Sequence, residues 1–155
     1  MKSNELLRHL RKLLALNETG MAQIFACGHY EVAPETVRTW LKQDNEADFT
    51  PCPDLALAHF LEGLIISRRG ARERASAAPP PVYPVSNNQV LKKLRIAFEL
   101  QGDDMHTLFE AAGNPLTKQE LDALFRKPEH KNFQACSDQT LRTFVKALME
   151  RFRPH

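Results

Sequence analysis

Apolar residues recur at helical spacing through most of the chain, and the same pattern occurs twice. Intervals of three and four residues place these side chains on one face of a helix. The first such stripe consists of Leu6, Leu7, Leu10, Leu13 and Leu14. A comparable stripe later in the chain consists of Val90, Leu91, Leu94, Ala97 and Phe98. No stretch shows the sustained alternation that is typical of a strand, so the pattern predicts an all-α protein.

Polar residues and prolines mark where several of these helices should begin. Asn4 and Asn88 lie just ahead of the two stripes and are predicted to cap the first free amides. Pro34 predicts the start of a third helix in the first half. Thr117, with Glu120 three residues later, predicts a capping box at the corresponding helix of the second half.

The two halves are copies of one unit. At an offset of 84 positions, residues 4–66 align with residues 88–150 without a gap, and thirteen of the 63 pairs are identical. Average composition would give roughly four identities. In the first repeat, the residues of the identical pairs are at positions 4, 7, 10, 11, 16, 21, 25, 49, 52, 54, 57, 60 and 64. The sequence therefore predicts two tandem repeats of about four helices each.

The predicted organisation is a first repeat over residues 1–66, a linker over 67–87 and a second repeat over 88–155. The linker is basic, then Ala-rich, and contains three consecutive prolines, a composition that builds no core. A unit of about 63 residues is marginal for an independent core. We therefore expect the repeats to pack against each other with pseudo-twofold symmetry.

Composition narrows the classes of function. Apolar residues make up 43% and charged residues 26% of the 155, as in ordinary globular proteins. There is no apolar run of about 18 residues and no signal-peptide pattern, which favours a cytoplasmic protein without a membrane partner. The three cysteines fit that compartment as free thiols. The net charge of +2 arises in the linker and the termini, which argues against an extended nucleic-acid-binding face.

Four segments of the chain resemble the YehS-like family of small bacterial proteins. They are "NNQVLKKLRIAFEL", "ALFRKPEHKNFQACSDQTLRTFVKAL", "WLKQDNEADFTPCPDLAL" and "FLEGLIISRRG". The resemblance extends over nearly the whole chain. It implies a duplicated cytoplasmic protein of unknown function. It brings no activity, cofactor or catalytic residue to this sequence.

The motif Phe-x-x-Cys-x-Asp occurs as "FTPCPD" and "FQACSD", one copy in each repeat. Zinc needs about four ligands, and neither Cys52 nor Cys136 has a second ligand at a suitable spacing. A nucleophilic cysteine needs a base, and the histidines are not duplicated with the motif. We therefore predict a structural role, in which Asp54 and Asp138 start the fourth helix of each repeat. Catalytic and metal sites are expected to be absent.

Two arginines are duplicated together with the motif aspartates. Arg11 and Arg95 lie at matching positions of the first helix of each repeat, four residues after Leu7 and Leu91 and hence near its apolar stripe. We predict that they form ion pairs with Asp54 and Asp138, respectively. The alternative is that each arginine is solvated.

The repeats differ most in "RKPEHKNF", which replaces the acidic "KQDNEADF" of the first repeat. Convergent basic and polar groups in the second repeat indicate a candidate anion site. Its predicted residues are Arg126, Lys127, His130, Lys131, Asn132, Gln139 and Arg142. The alternative is a solvated charged loop.

The function that these features favour is a non-enzymatic module that binds a protein or an anionic ligand, without a cofactor. The alternative is nucleic-acid binding, because "DDMHTLFEAAGNPLTKQELDALFRK" has the outline of a helix-turn-helix. Its second helix would present Thr117, Lys118, Gln119, Arg126 and Lys127 to a groove. A third class is an enzyme that uses Cys136 or His130.

Overall fold

The computed structural model describes residues 1–69 and 85–152, and every regular element in these two ranges is an α-helix. The all-α prediction is confirmed. The chain divides into two compact units, Met1–Val85 and Ser86–His155. Most of the predicted linker, residues 70–84, lies outside the described residues. The expected pseudo-twofold packing stays a prediction.

Each unit contains four helices in the same order. The first contains α1 (Ser3–Leu14), α2 (Glu18–Cys27), α3 (Pro34–Trp40) and α4 (Asp54–Arg69). The second contains α5 (Asn87–Ala97), α6 (Gly102–Ala111), α7 (Lys118–Leu124) and α8 (Asp138–Phe152). Helices α1 to α4 and α5 to α8 thus begin at matching or neighbouring positions of the duplication.

The core of each repeat is built on the predicted apolar stripes. Phe25 and Phe60 are fully buried in the first repeat, with ring centroids 4.8 Å apart. Phe109 and Phe144 occupy the same positions in the second repeat, 5.5 Å apart. Trp40 is 5% exposed, so it is a core residue as its helical spacing indicates.

The predicted caps are confirmed in one helix and wrong in two. Thr117 forms a capping box with Glu120 at the start of α7. Asn4 and Asn88, however, each lie one residue inside their helix, and Ser86 caps α5 by accepting from the Gln89 amide. The two asparagines are held instead by distant backbone groups, described below.

The repeats differ where α2 meets α4. A Cβ atom on Gly63 would lie 1.9 Å from the Ile24 carbonyl oxygen, and one on Gly28 would lie 1.9 Å from the His59 carbonyl oxygen. Only glycine permits backbones to approach this closely. The second repeat has alanine at both positions, Ala112 and Ala147. Its α6 and α8 therefore cannot reproduce this contact.

Within residues 1–69 and 85–152, no helix combines the length and the apolar content that crossing a membrane requires.

Candidate functional site

Asn4 joins three separate parts of the first repeat. Its Nδ2 donates to the carbonyl oxygens of Trp40 (2.8 Å) and Thr50 (2.9 Å). Its Oδ1 accepts from the backbone amide of Cys52 at 2.9 Å. One side chain of α1 therefore fixes the end of α3 and the segment that leads into α4.

Asn88 makes the same three bonds in the second repeat. Its Nδ2 donates to the carbonyl oxygens of Leu124 (2.9 Å) and Gln134 (3.0 Å). Its Oδ1 accepts from the Cys136 amide at 2.9 Å. We call these two arrangements the asparagine clamps. In both repeats, therefore, the cysteine of the motif and the asparagine 48 residues before it are joined by the same hydrogen bond.

The motif aspartates start α4 and α8, as predicted. Asp54 Oδ1 accepts from Ser3 Oγ at 2.9 Å, and Asp138 Oδ1 accepts from Asn87 Nδ2 at 2.7 Å. In α8, Ser137 caps the helix by accepting from an amide in the first turn. The aspartates therefore fasten the fourth helix of each repeat to the start of the first.

The motif thiols are buried, with Cys52 7% and Cys136 6% exposed. Burial raises the pKa of the Cys52 thiol to about 12, and the nearby Asp54 carboxylate adds to this shift. Burial also raises the pKa of the Cys136 thiol to about 11. Both groups are therefore protonated at neutral pH and lack the thiolate that a nucleophile or a metal ligand needs.

In the part of the chain that the structure describes, no three His, Cys, Asp or Glu side chains are grouped so that they could hold a metal ion. The third cysteine, Cys27, is exposed at the end of α2.

The predicted ion pairs of Arg11 and Arg95 with the motif aspartates are wrong. Arg95 Nε donates to the Leu100 carbonyl oxygen at 3.1 Å, and its Cζ lies 4.9 Å from the centre of the Phe125 ring. Arg11 Nε is buried without a hydrogen-bond partner among the described residues. Both arginines lie near the end of their helix, whereas the aspartates contact its start, about 12 Å away at 1.5 Å per residue.

The loop between α7 and α8 carries the predicted anion site, and one of its side chains stabilises a turn. His130 Nδ1 accepts from the Asn132 amide at 2.9 Å. In the first repeat Glu46, at the same position, accepts from the Gln43 amide at 2.9 Å. Because Nδ1 is an acceptor here, the remaining proton of a neutral His130 ring is on Nε2.

The loop borders two adjoining cavities. The larger, of about 410 Å³, is an open hollow lined by Phe125, Arg126, Lys127, Glu129 and His130. The smaller, of about 110 Å³, is more enclosed, and we call it the basic pocket. It is lined by Ser86, Asn88, Gln89, Lys92, Leu124, Phe125, Arg126, Lys127, Pro128 and Phe133.

The basic pocket contains three cations and no carboxylate. Lys92, Arg126 and Lys127 are exposed, and none of their side chains makes an ion pair or hydrogen bond within residues 1–69 and 85–152. Lys92 belongs to α5, whereas the other two directly follow α7. Charges from two distant segments of the sequence therefore meet without a neutralising partner.

The corresponding surface of the first repeat contains a carboxylate, and one of its cations is bound to a carbonyl oxygen. Asp44, at the position of Pro128, forms an ion pair of 3.6 Å with Lys2. Arg8, at the position of Lys92, donates to the Lys42 carbonyl oxygen at 2.9 Å. Lys42, at the position of Arg126, makes no ion pair among the described residues, whereas the uncharged Gln43 is at the position of Lys127. The second repeat therefore differs in having a cation in place of this glutamine and no carboxylate at this surface.

The structure brings only part of the predicted anion site together. Arg126, Lys127 and His130 share the open hollow. Asn132 lines a different cleft, of about 480 Å³, beside α7. Lys131, Gln139 and Arg142 line none of these three cavities.

Sequence reasoning missed Lys92, Ser86 and Phe125. Phe125 could have been found, because it directly precedes Arg126. Lys92 lies 34 residues before Arg126 in the sequence, and no local pattern connects the two. The clamp of Asn88 on the Leu124 carbonyl places α5 beside the end of α7 and so brings them together.

A cleft beside the third helix occurs in both repeats. In the second its lining includes the uncharged Gln119, Asn132 and Gln134, together with the carboxylate of Glu120. In the first, the cleft of about 600 Å³ includes the corresponding Glu35, Asp48 and Thr50. The shape is therefore shared, whereas the chemistry is not.

Comparison with known proteins places the chain in a family. Residues 3–70 and 87–153 each match the family described as "Protein of unknown function (DUF1456)". The chain belongs to this family. The chain is also 41% identical to the "Uncharacterized protein YehS" of Escherichia coli (strain K12) over 151 residues, which cover 97% of this chain and 96% of that protein. No solved structure matches the chain. The two matched stretches support the tandem repeat that the sequence predicts.

Proposed function

We propose that the protein is a non-enzymatic cytoplasmic binding module whose second repeat recognises an anionic ligand. The observation that carries this proposal is the basic pocket, where Lys92, Arg126 and Lys127 meet without a carboxylate. Such cations attract an anion and form charge-assisted hydrogen bonds with it. The first repeat serves as an internal comparison, since it has the same backbone plan with Gln43 at the position of Lys127 and Asp44 at the position of Pro128.

A compact ligand is favoured over nucleic acid. A nucleic-acid-binding face needs cations along a track that follows many phosphates. Here Glu129 borders the same hollow as Arg126 and Lys127, and the first repeat has Asp44, Glu46 and Asp48 in the corresponding loop. The helix-turn-helix alternative is also weakened, because α7 has only 7 residues and residues 112–117 separate it from α6.

A protein partner receives less support than an anion. Partner surfaces usually contain a contiguous apolar patch. Among the described residues, Leu55 is the large apolar side chain that is markedly exposed, at 45%. The protonated thiols at Cys52 and Cys136 likewise favour binding over catalysis.

The proposal is tested by the thermal stabilisation of the purified protein with inorganic phosphate, pyrophosphate, citrate and a heparin oligosaccharide. Because a ligand that binds only the folded state raises Tm, at least one anion should do so in a saturable manner. Lys127→Met should weaken that effect. Lys118→Met is the matched control, since it removes the same charge from an exposed residue of α7 outside the basic pocket.

Three outcomes decide the matter. Stabilisation that depends on Lys127 but not on Lys118 supports the proposal. No saturable stabilisation by any of the four anions overturns it. Salt-sensitive binding of a DNA duplex that depends equally on Lys118 and Lys127 overturns it in favour of the nucleic-acid alternative.

A further inference from the structure

We infer that the ligand of the basic pocket is a small phosphate monoester, whose phosphate enters the pocket while its organic part lies in the adjoining hollow. This inference rests on the proposed function and names the class of anion. The size of the pocket, the number of its donors and the lining residues that it shares with the hollow support this inference.

The size of the pocket fits one phosphate group. Its volume of about 110 Å³ is several times the roughly 10–15 Å³ that one water molecule needs, so a group larger than water can enter it. A phosphate dianion has a central atom and four oxygens, so it matches that space.

The donors also fit a phosphate. Arg126 presents a planar guanidinium, and Lys92 and Lys127 each present an ammonium group with three donor hydrogens. The hydroxyl of Ser86 adds a further donor, since its oxygen accepts from the Gln89 amide and its hydrogen stays available. A monoester offers three terminal oxygens and a charge of about −1.5 to −2 at pH 7, whereas a carboxylate offers two oxygens and one charge.

The hollow provides room for the organic part of the ligand. Phe125, Arg126 and Lys127 line both cavities, so the hollow of about 410 Å³ lies beside the pocket, where the organic part of a bound ligand would be placed. The half-buried Phe125 ring forms an apolar wall, held on Arg95 at 4.9 Å. His130, whose Nδ1 accepts from Asn132, has Nε2 left for a polar group of the ligand. Because the hollow is open, it does not select one particular shape for the organic part of a small ligand.

The inference is tested by isothermal titration calorimetry with methyl phosphate, dimethyl phosphate and acetate as probes. Methyl phosphate should bind at one site per chain, and the diester and acetate should bind at least about tenfold more weakly. Lys92→Met should weaken methyl phosphate binding about tenfold, because one charge-assisted contact is lost. Lys12→Met, on an exposed residue of α1 in the first repeat, is the matched control and should bind like the unmodified chain.

The outcomes separate this inference from the proposed function. If methyl phosphate binds and Lys92→Met impairs binding while its Tm without ligand is unchanged, the inference is supported. If citrate or heparin binds in a Lys127-dependent manner but methyl phosphate does not, the ligand class is wrong and the anion-binding function stands. If methyl phosphate binds equally to the unmodified chain and Lys92→Met, the site is not the basic pocket and the inference is overturned. If none of the anions binds, both proposals are wrong.

Discussion

The side-chain oxygen of Asn4 accepts a 2.9 Å hydrogen bond from the backbone amide of Cys52, and both residues are buried. Asn88 and Cys136 repeat this bond at 2.9 Å. The amides of two loop residues therefore find their acceptors on the first helix of each repeat. A buried amide without an acceptor would carry a full desolvation cost.

Asn4→Ala should lower the free energy of unfolding by about 2–4 kcal/mol, because it leaves the Cys52 amide and the Trp40 carbonyl without their partner. Asn88→Ala should act in the same direction on the second repeat. Urea denaturation followed by circular dichroism measures both effects.

The control for the clamp is Asn45→Ala, which changes an exposed loop asparagine to the same residue. It should change the free energy of unfolding by less than about 0.5 kcal/mol. Equal stability of Asn4→Ala and Asn45→Ala would show that the clamp does not stabilise the first repeat.

Gly63→Ala should destabilise the protein by about 2 kcal/mol, because the added Cβ would lie 1.9 Å from the Ile24 carbonyl oxygen and would force α2 away from α4. Gly102→Ala, at the first residue of α6 with no atom within 4 Å of the new Cβ, is the matched control. It should leave the stability unchanged or raise it slightly. Thermal unfolding of the two variants compares them, and a stable Gly63→Ala would disprove the close helix contact.

Alkylation by iodoacetamide at pH 8 should modify Cys27 and leave Cys52 and Cys136 intact. Cys27 is exposed, whereas burial raises the pKa of Cys52 from 9.0 to about 12, which lowers its thiolate fraction at this pH about 1000-fold. Peptide mass spectrometry reads out each site. In guanidinium chloride all three thiols should react, and fast reaction of Cys52 in the folded chain would contradict its burial.

The same thiols should make the protein less stable at alkaline pH. A thiol whose pKa is raised on folding contributes stability that is complete below its ordinary pKa of 9.0 and is lost as the pH rises through the folded values of about 11 and 12. The free energy of unfolding should therefore fall as the pH rises from 9.0 towards about 11 and 12. A double variant, Cys52→Ala with Cys136→Ala, should show a shallower decline, and an identical slope would count against this account.

The duplication made most of the fold predictable. Each helix is encoded by two related sequences, one in each repeat. A helix with a weak sequence pattern, such as the short third helix, could therefore be predicted from both sequences together. Thr117 and Glu120 behave as their spacing predicts, since a capping box depends only on neighbouring residues. Local patterns were sufficient wherever the interactions themselves are local.

The failures all involve partners that are distant in the sequence. An asparagine ahead of an apolar stripe has the same appearance whether it caps its own helix or binds residues 36 and 48 positions away, as Asn4 does. The sequence predicted two of the three cations of the basic pocket, because Arg126 and Lys127 are adjacent in a basic run. Lys92 is distant in the sequence, and the fold brings it beside them. The ion pairs predicted from the duplicated arginine and aspartate were also wrong. Arg95 lies near the end of α5, whereas Asp138 contacts its start.

The two arginines give a final prediction, because matched positions have unequal surroundings. Arg95 Nε donates to Leu100, and its guanidinium lies over Phe125. In the first repeat Leu41 replaces Phe125, and Arg11 Nε is buried without an acceptor among the described residues. Arg95→Met should therefore destabilise the protein by about 1–2 kcal/mol through loss of the hydrogen bond and the cation–π contact.

Arg11→Met should cost less than Arg95→Met or should stabilise the protein, because it removes a buried donor that has no partner. Urea denaturation of both variants measures the difference between their free energies of unfolding. Because both variants replace arginine by methionine within a helix, the change in helix propensity cancels. If Arg11→Met were the more destabilising of the two, the guanidinium of Arg11 would have an acceptor in solution that the structure does not show.

The comparison also bears on the basic pocket, because Arg95 holds the Phe125 ring that lines it. Arg95→Met should accordingly weaken binding of methyl phosphate, whereas Arg11→Met should leave it unchanged.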